Sequence, residues 1–205
     1  MTTERLDAFR ASLKINLTGR DNRSHPFMCD GSPLDCKLFV VGLNAATKLS
    51  RPFWTYWDQS GLQKKKFIED YVAQRGHLRG ARRRIELIAD GVGYQRTLDT
   101  NIYFHSTRTA KELRRIHKDH RVFEFIFKGI KPKIMLAHGR QAVQFFRERC
   151  PDFIEDTECP QKVTFQGFVV DLLCSPHLCL VSIERTKKIA AILAGALANQ
   201  CIRQP

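Results

Sequence analysis

The sequence predicts an α/β fold, a three-layer α-β-α arrangement with a short, mainly parallel central sheet. Two short apolar runs (residues 37–42 and 133–137) and a third β-prone segment (98–104) have the length of strands rather than of helices. Between them lie longer segments whose apolar residues recur at helical spacing. Strands that alternate with helices need crossover connections, and these make the sheet parallel and put helices on both of its faces.

The elements follow in order. Residues 2–17 are predicted helical, with Leu6, Phe9, Leu13 and Leu17 along one face. Residues 18–36 form a polar loop punctuated by Gly19, Pro26, Gly31 and Pro33. Residues 37–42 are a continuous apolar strand of the kind buried on both faces. An aromatic-rich loop over 48–60 follows, then helices over 61–75 and 81–90, the second ending at Gly91. The strand 98–104 precedes a long predicted helix over 109–127, opened by a capping-box pattern at Thr109 and Glu112 and carrying Leu113, Ile116, His120, Phe123 and Phe127 as its apolar stripe. The strand 133–137 turns at His138-Gly139 into a short helix over 141–149. After a loop over 150–162 comes a strand region over 165–174 with a possible break at Gly167, and a closing helix over 184–200. Repeats, low-complexity tracts and linkers are absent from the sequence, so its 205 residues are expected to form one domain.

Charge points to the class of partner. Thirty-four Lys and Arg against 21 Asp and Glu give a formal net charge of +13, and residues 61–121 alone contribute +8 of it. Such an excess favours a polyanion, nucleic acid first and an anionic membrane surface second, although basic helix faces also serve solubility. The seven Cys are irregularly spaced without a C-x-x-C pair, and the first 15 residues contain no apolar leader segment. An intracellular chain (cytoplasm or nucleoid) with reduced thiols, no bound metal and no membrane span is therefore expected.

In a parallel sheet, ligands bind beyond the carboxyl ends of the strands. Four segments are expected to meet there: 42–47, 101–109, 137–139 and 175–178. Their residues resemble the uracil-DNA glycosylase superfamily. Gly42-Leu43-Asn44 at a buried strand end is similar to the family's first motif in its mismatch-specific and single-strand-selective branches. Thr100-Asn101-Ile102-Tyr103 resembles the strand whose Asn reads the uracil edge, and residues 131–139 resemble the third strand with its Gly turn. Ser175-Pro176-His177-Leu178 falls where the second motif is expected. Two departures stand out: Ala45 and Ala46 replace the usual Pro and Gly, and the second motif usually reads His, Pro, Ser.

The resemblance implies a DNA glycosylase that needs no cofactor and binds DNA as a monomer. Asn44 would orient the attacking water, although an amide is a poor base, and His177 would donate to the leaving base as negative charge builds on it. Asn101 can donate and accept at once, as a base edge requires. Gly42 and Leu43 would line the base pocket, and Phe53 or Trp54 would stack on the base, unless the latter two belong to a core aromatic cluster. His105 and His138, at strand ends, could line the same pocket or be satisfied structurally. On the DNA side, Leu178 would wedge into the gap left by the flipped base and Ser175 would contact the strand, while Arg82, Arg83, Arg84, Arg114 and Arg115 would contact phosphates. A fold retained for binding without catalysis is the alternative. An unrelated nucleotide or sugar-phosphate enzyme is a third reading, weakened because neither G-x-G-x-x-G nor a Walker pattern occurs.

Overall fold

The computed structural model describes residues 3–21, 23–45, 50–78, 80–107 and 110–202. Its six-stranded sheet has a parallel core of four strands: β2 (Leu38–Asn44), β5 (Thr97–Tyr103), β6 (Ile134–His138) and β8 (Phe168–Ser175). Antiparallel edges are added by β1 (Phe27–Met28) against β5 and β7 (Gln161–Phe165) against β8. The full order is β1-β5-β2-β6-β8-β7, and β3 (Trp57–Asp58) and β4 (Gly61–Leu62) form a separate small hairpin. The helices are α1 (Thr3–Asn16), α2 (Lys64–Arg75), α3 (Gly80–Val92), α4 (Arg121–Ile130), α5 (Arg140–Arg147) and α6 (Ile183–Ile202).

The period-2 alternation of the strands divides the core into two layers. Phe39 and Val41 of β2, Leu98 and Ile102 of β5 and Met135 and Ala137 of β6 face one side. There they pack with Phe9 and Leu13 of α1, Phe123 and Phe127 of α4 and Phe146 of α5. Leu38 and Val40, Ile134 and Leu136, and Leu173 of β8 face the other side, under Ile85 and Ile88 of α3 and Ile189, Leu193 and Leu197 of α6. The arrangement is the three-layer α-β-α one expected, with a mainly parallel sheet. Among the described residues no helix is long and apolar enough to cross a membrane.

Three expectations need correction. The segment 109–127 is not one helix: 3₁₀ turns occupy Ala110–Glu112 and Arg115–His117, and α4 starts only at Arg121. Thr109, the expected cap, lies outside the described residues, and His120 is the N-cap of α4 rather than part of an apolar stripe. The reason sits at Asp119. Its carboxylate accepts from the Arg121 backbone N–H (3.0 Å) and binds the guanidinium groups of Arg121 and Arg20 (2.8 and 2.7 Å), so the helix is nucleated there. The strand region over 165–174 does break at Gly167, but as the turn of a hairpin that begins earlier: β7 and β8 join through Gln166 (φ 52°) and Gly167 (φ 81°). Two consecutive left-handed residues are what a tight two-residue hairpin turn demands. The loop over 18–36 also supplies β1. Thr100 Oγ1 donates to the Pro26 carbonyl (2.7 Å), holding this segment against β5.

Candidate functional site

Chain order places the first parallel strand, β2, between the second, β5, and the third, β6. The connections therefore reverse direction between β2 and β6, and a crevice opens at such a switch point beyond the carboxyl ends. A cavity of about 260 Å³ lies there. It is small beside the roughly 300–1,000 Å³ of pockets for drug-sized ligands, and suits one compact ring rather than a dinucleotide.

Asn44, Asn101, His138 and His177 all line it. Three of them share a face because of strand alternation. Gly42 pairs with Asn101 across β2 and β5, Asn44 lies two residues beyond Gly42, and His138 continues the α3/α6-facing series Ile134, Leu136. A side chain at Gly42 would crowd its neighbours. A Cβ there would sit 2.8 Å from Asn101 Oδ1 and 3.1 Å from His138 Nε2. Gly139 (φ 89°) makes the turn after β6, and a Cβ there would press to 3.2 Å from His177 Cδ2. His177 and His138 meet edge to face, with ring centroids 5.3 Å apart.

The polar atoms are oriented. Asn44 Nδ2 donates to Thr107 Oγ1 (2.7 Å), with the Ala45 and Thr107 carbonyls also facing that nitrogen at 3.5 Å, so Oδ1 points away as an acceptor. The Asn101 side chain makes no hydrogen bond among the described residues, so it is not spent on the strand ladder. His177 Nδ1 accepts the Cys179 backbone N–H (3.3 Å) and lies 2.8 Å from the Cys179 thiol, which leaves the ring proton on Nε2. Partial burial lowers the pKa of His177 from its usual 6.5. His138 is buried, and desolvation, aided by neighbouring His177, brings it down to about 3. His25 also lines the cavity; burial, with Arg82 nearby, brings it down to about 4. These imidazoles are therefore neutral at pH 7.

Beneath them lies a buried ion network. Arg82 of α3 forks onto Asp99 of β5 (2.7 and 2.9 Å) and reaches Glu86 (3.0 Å), which also binds Lys64 (3.0 Å). Burial alone would raise the Asp99 pKa, but the charge and hydrogen bonds of Arg82 outweigh it and hold the carboxyl below its usual range. Asp99 is thus committed to Arg82, and the cavity offers ligands neutral amides and imidazoles.

Several expected site residues stand elsewhere. Phe53 is 1% exposed within a ring cluster of Phe27, Trp54 and Trp57, and Trp54 packs against that cluster with Lys14 over its ring. The aromatic walls of the cavity are instead Phe67 and Tyr71 of α2. Leu43 points to the opposite sheet face, into a separate cleft with Tyr103 and Phe145. His105 stacks flat on His117 at 3.6 Å, away from the cavity lining. Leu178 is wholly buried against α3 and α6, and the exposed apolar residue of its loop is Leu180 (79%). Ser175 is buried, donating to the Pro176 carbonyl. Of the arginine run, Arg82 is buried in the ion network and Arg84 donates to the Val181 carbonyl (3.1 Å), leaving Arg83 exposed. Arg114 and Arg115 are exposed on the loop after β5. Ala46 and Thr47 lie outside the described residues.

Neither a protein-family model nor a curated protein matches the chain.

His25, Phe67, Tyr71 and Asp99 escaped the sequence reading. Only Asp99 left a signal, as a carboxylate inside a strand otherwise built for burial, which must find a cation.

Proposed function

We propose that the chain is a DNA glycosylase of the uracil-DNA glycosylase type, hydrolysing the N-glycosidic bond of uracil or a related damaged base flipped out of DNA. It acts as a monomer and needs neither metal nor organic cofactor. The observation that carries this reading is the Asn101 amide, without a hydrogen bond among the described residues, in a one-ring cavity, with Asn44 Oδ1 and the imidazoles of His138 and His177 around it. A base in the cavity is gripped by Asn101 against Phe67 and Tyr71. Water held by Asn44 adds to C1′ as the C1′–N bond breaks. The departing electron pair settles on the base, where the Nε2–H of His177 stabilises it, and the water proton ends on the base. Arg83, Arg114 and Arg115 hold phosphates, and Leu180 takes the gap-filling place first expected of Leu178.

Abasic-site formation on a panel of uracil, hypoxanthine and oxidised-pyrimidine substrates, single- and double-stranded, tests this. Asn44→Ala is expected to slow release on the order of 10²-fold and His177→Ala on the order of 10²- to 10³-fold, with affinity for undamaged duplex unchanged. Binding whose affinity falls steeply with salt, but with no abasic product on any substrate, would select a non-catalytic nucleic-acid-binding protein instead.

Gly42→Ala is a separate prediction. The new methyl must displace Asn101 or His138, and misplacement of that size costs on the order of 10²-fold in rate. Thermal unfolding should change little, because the methyl meets side-chain tips rather than backbone, which distinguishes a disturbed site from a damaged core. A Gly42→Ala protein with wild-type excision would remove the placement of Asn101 and His138 over Gly42 from the mechanism.

A further inference from the structure

We infer that His138 is a specificity-determining residue of this cavity: its imidazole presents Nε2–H to a ring carbonyl and, with Asn101 Oδ1, selects bases carrying a lactam edge over bases carrying an amino-pyrimidine edge. The inference rests on the base-binding reading above and adds the identity of the edge that is read.

The ring is hemmed in asymmetrically. Neither Nδ1, which is buried, nor Nε2 makes a hydrogen bond among the described residues. Nε2 and Cε1 instead form the edge packed over Gly42, at 3.1 and 3.3 Å from where a Cβ would be, and the residue lines the cavity. A core histidine ordinarily has both nitrogens satisfied. This one has neither satisfied among the described residues, and it lines a cavity.

The position of the proton follows from cost. Burial and His177 keep the ring neutral, with Arg82 acting in the same direction and Asp99 against it. A neutral ring carries one N–H and one lone pair. Buried N–H groups without acceptors are rarer than under-satisfied acceptors, so the sealed Nδ1 holds the lone pair and Nε2 holds the proton. The cavity wall thus carries a donor, His138 Nε2–H, beside an acceptor, Asn101 Oδ1, both closing over Gly42 at 3.1 and 2.8 Å from where its Cβ would be. A neighbouring ring N–H and C=O satisfy both at once, as at N3–H and C4=O of uracil or N1–H and C6=O of hypoxanthine. Cytosine and adenine present a ring acceptor beside an exocyclic donor. Donor would face donor and acceptor would face acceptor, and a site built to hydrogen-bond rejects such a mismatch strongly. A neutral donor also gives no premium to anions, so the residue favours a carbonyl over a phosphate.

The test uses the full-length protein with ¹⁵N-labelled histidine. Imidazole spectra should show His138 as the Nε2–H tautomer, and free uracil, but not free cytosine, should shift that resonance. His138→Leu should weaken uracil binding on the order of tenfold, with His138→Gln, which keeps an N–H donor, recovering most of it. A merely structural histidine would make the two variants fail alike. An Nδ1–H tautomer, or equal responses to uracil and cytosine, overturns the assignment. Uracil bound through His138 with no base released from any DNA substrate refutes the hydrolase while the assignment stands. Base release with undiminished keto preference in His138→Leu refutes the assignment while the hydrolase stands.

Discussion

Arg82→Ala is expected to destabilise the protein by about 3–5 kcal/mol, the usual cost of removing one partner from a buried ion pair. Arg82 sits between Asp99 and Glu86 with 9% of its side chain exposed, and the Asp99 side chain is 5% exposed. Its loss strands the Asp99 carboxylate in the core: His25 is neutral, and the Lys64 charge, which also acts on Asp99, is bound to Glu86 and compensates only in part. The guanidinium also lies over the Phe67 ring at 5.0 Å, and that contact is lost with it. Against total stabilities of about 5–15 kcal/mol the effect is large enough to unfold a marginal domain. Urea unfolding of wild type, Arg82→Ala and Arg83→Ala measures it. Arg83, next along α3 but exposed, should change stability by no more than about 0.5 kcal/mol. Comparable losses in both variants would show that the charge network contributes nothing particular.

The same arginine run shows what a sequence can and cannot disclose. Consecutive helical residues point about 100° apart, so Arg82, Arg83 and Arg84 cannot share one environment. One meets Asp99, one meets solvent and one meets a backbone carbonyl of the loop before α6. A run of like charges announces a polyanion partner only after its members have been separated in this way. The strands were legible for the opposite reason. The residues of β2 and β6 are apolar on both faces because both faces are covered, and no amphipathic reading competes with that.

The site was legible where local rules fix it. Asn44 and His138 close their strands, and Asn101 pairs opposite Gly42 by register, so strand ends and period-2 alternation bring them to one face. Loop conformations were not legible. The 3₁₀ turn Leu178–Leu180 sends Leu178 into the core and Leu180 out to solvent, and either leucine satisfies the sequence pattern. The spacing of Leu113, Ile116, His120 and Phe123 fits a helix equally well. Yet Ile116 is 79% exposed, because Asp119 starts α4 two residues later. Aromatic residues mislead in the same way, since a ring cluster beneath a loop and a stacking wall share one composition. Phe53 belongs to the former, and Phe67 lines the cavity from a helix whose apolar face gave no hint of a ligand.

Acid should unfold the protein well above the pH at which carboxylates alone titrate. In the unfolded chain His25 and His138 take protons near pH 6.5. In the folded chain they do so only at about 4 and about 3. Between pH 6.5 and 4 the unfolded state therefore holds two protons that the folded state lacks, and stability falls as pH falls. Each such proton contributes a slope of up to about 1.4 kcal/mol per pH unit, so the two reach about 2.7. Over that window the loss amounts to several kcal/mol, comparable with the whole stability of an ordinary domain. His177, also lowered, adds to the upper part of the window. Asp99, whose folded carboxyl is held low by Arg82, contributes stability that persists above the usual carboxylate range and is lost only beneath it, so it sharpens the acid end. Urea midpoints between pH 7 and 4.5 give the slope. His25→Phe, which keeps a ring against Phe67, should remove one of the two protons and roughly halve it. A stability that stays flat from pH 7 to 5 would mean that these imidazoles titrate as exposed ones do. Part of them would then be protonated at neutral pH, and the burial that makes them neutral groups lining the cavity would be refuted.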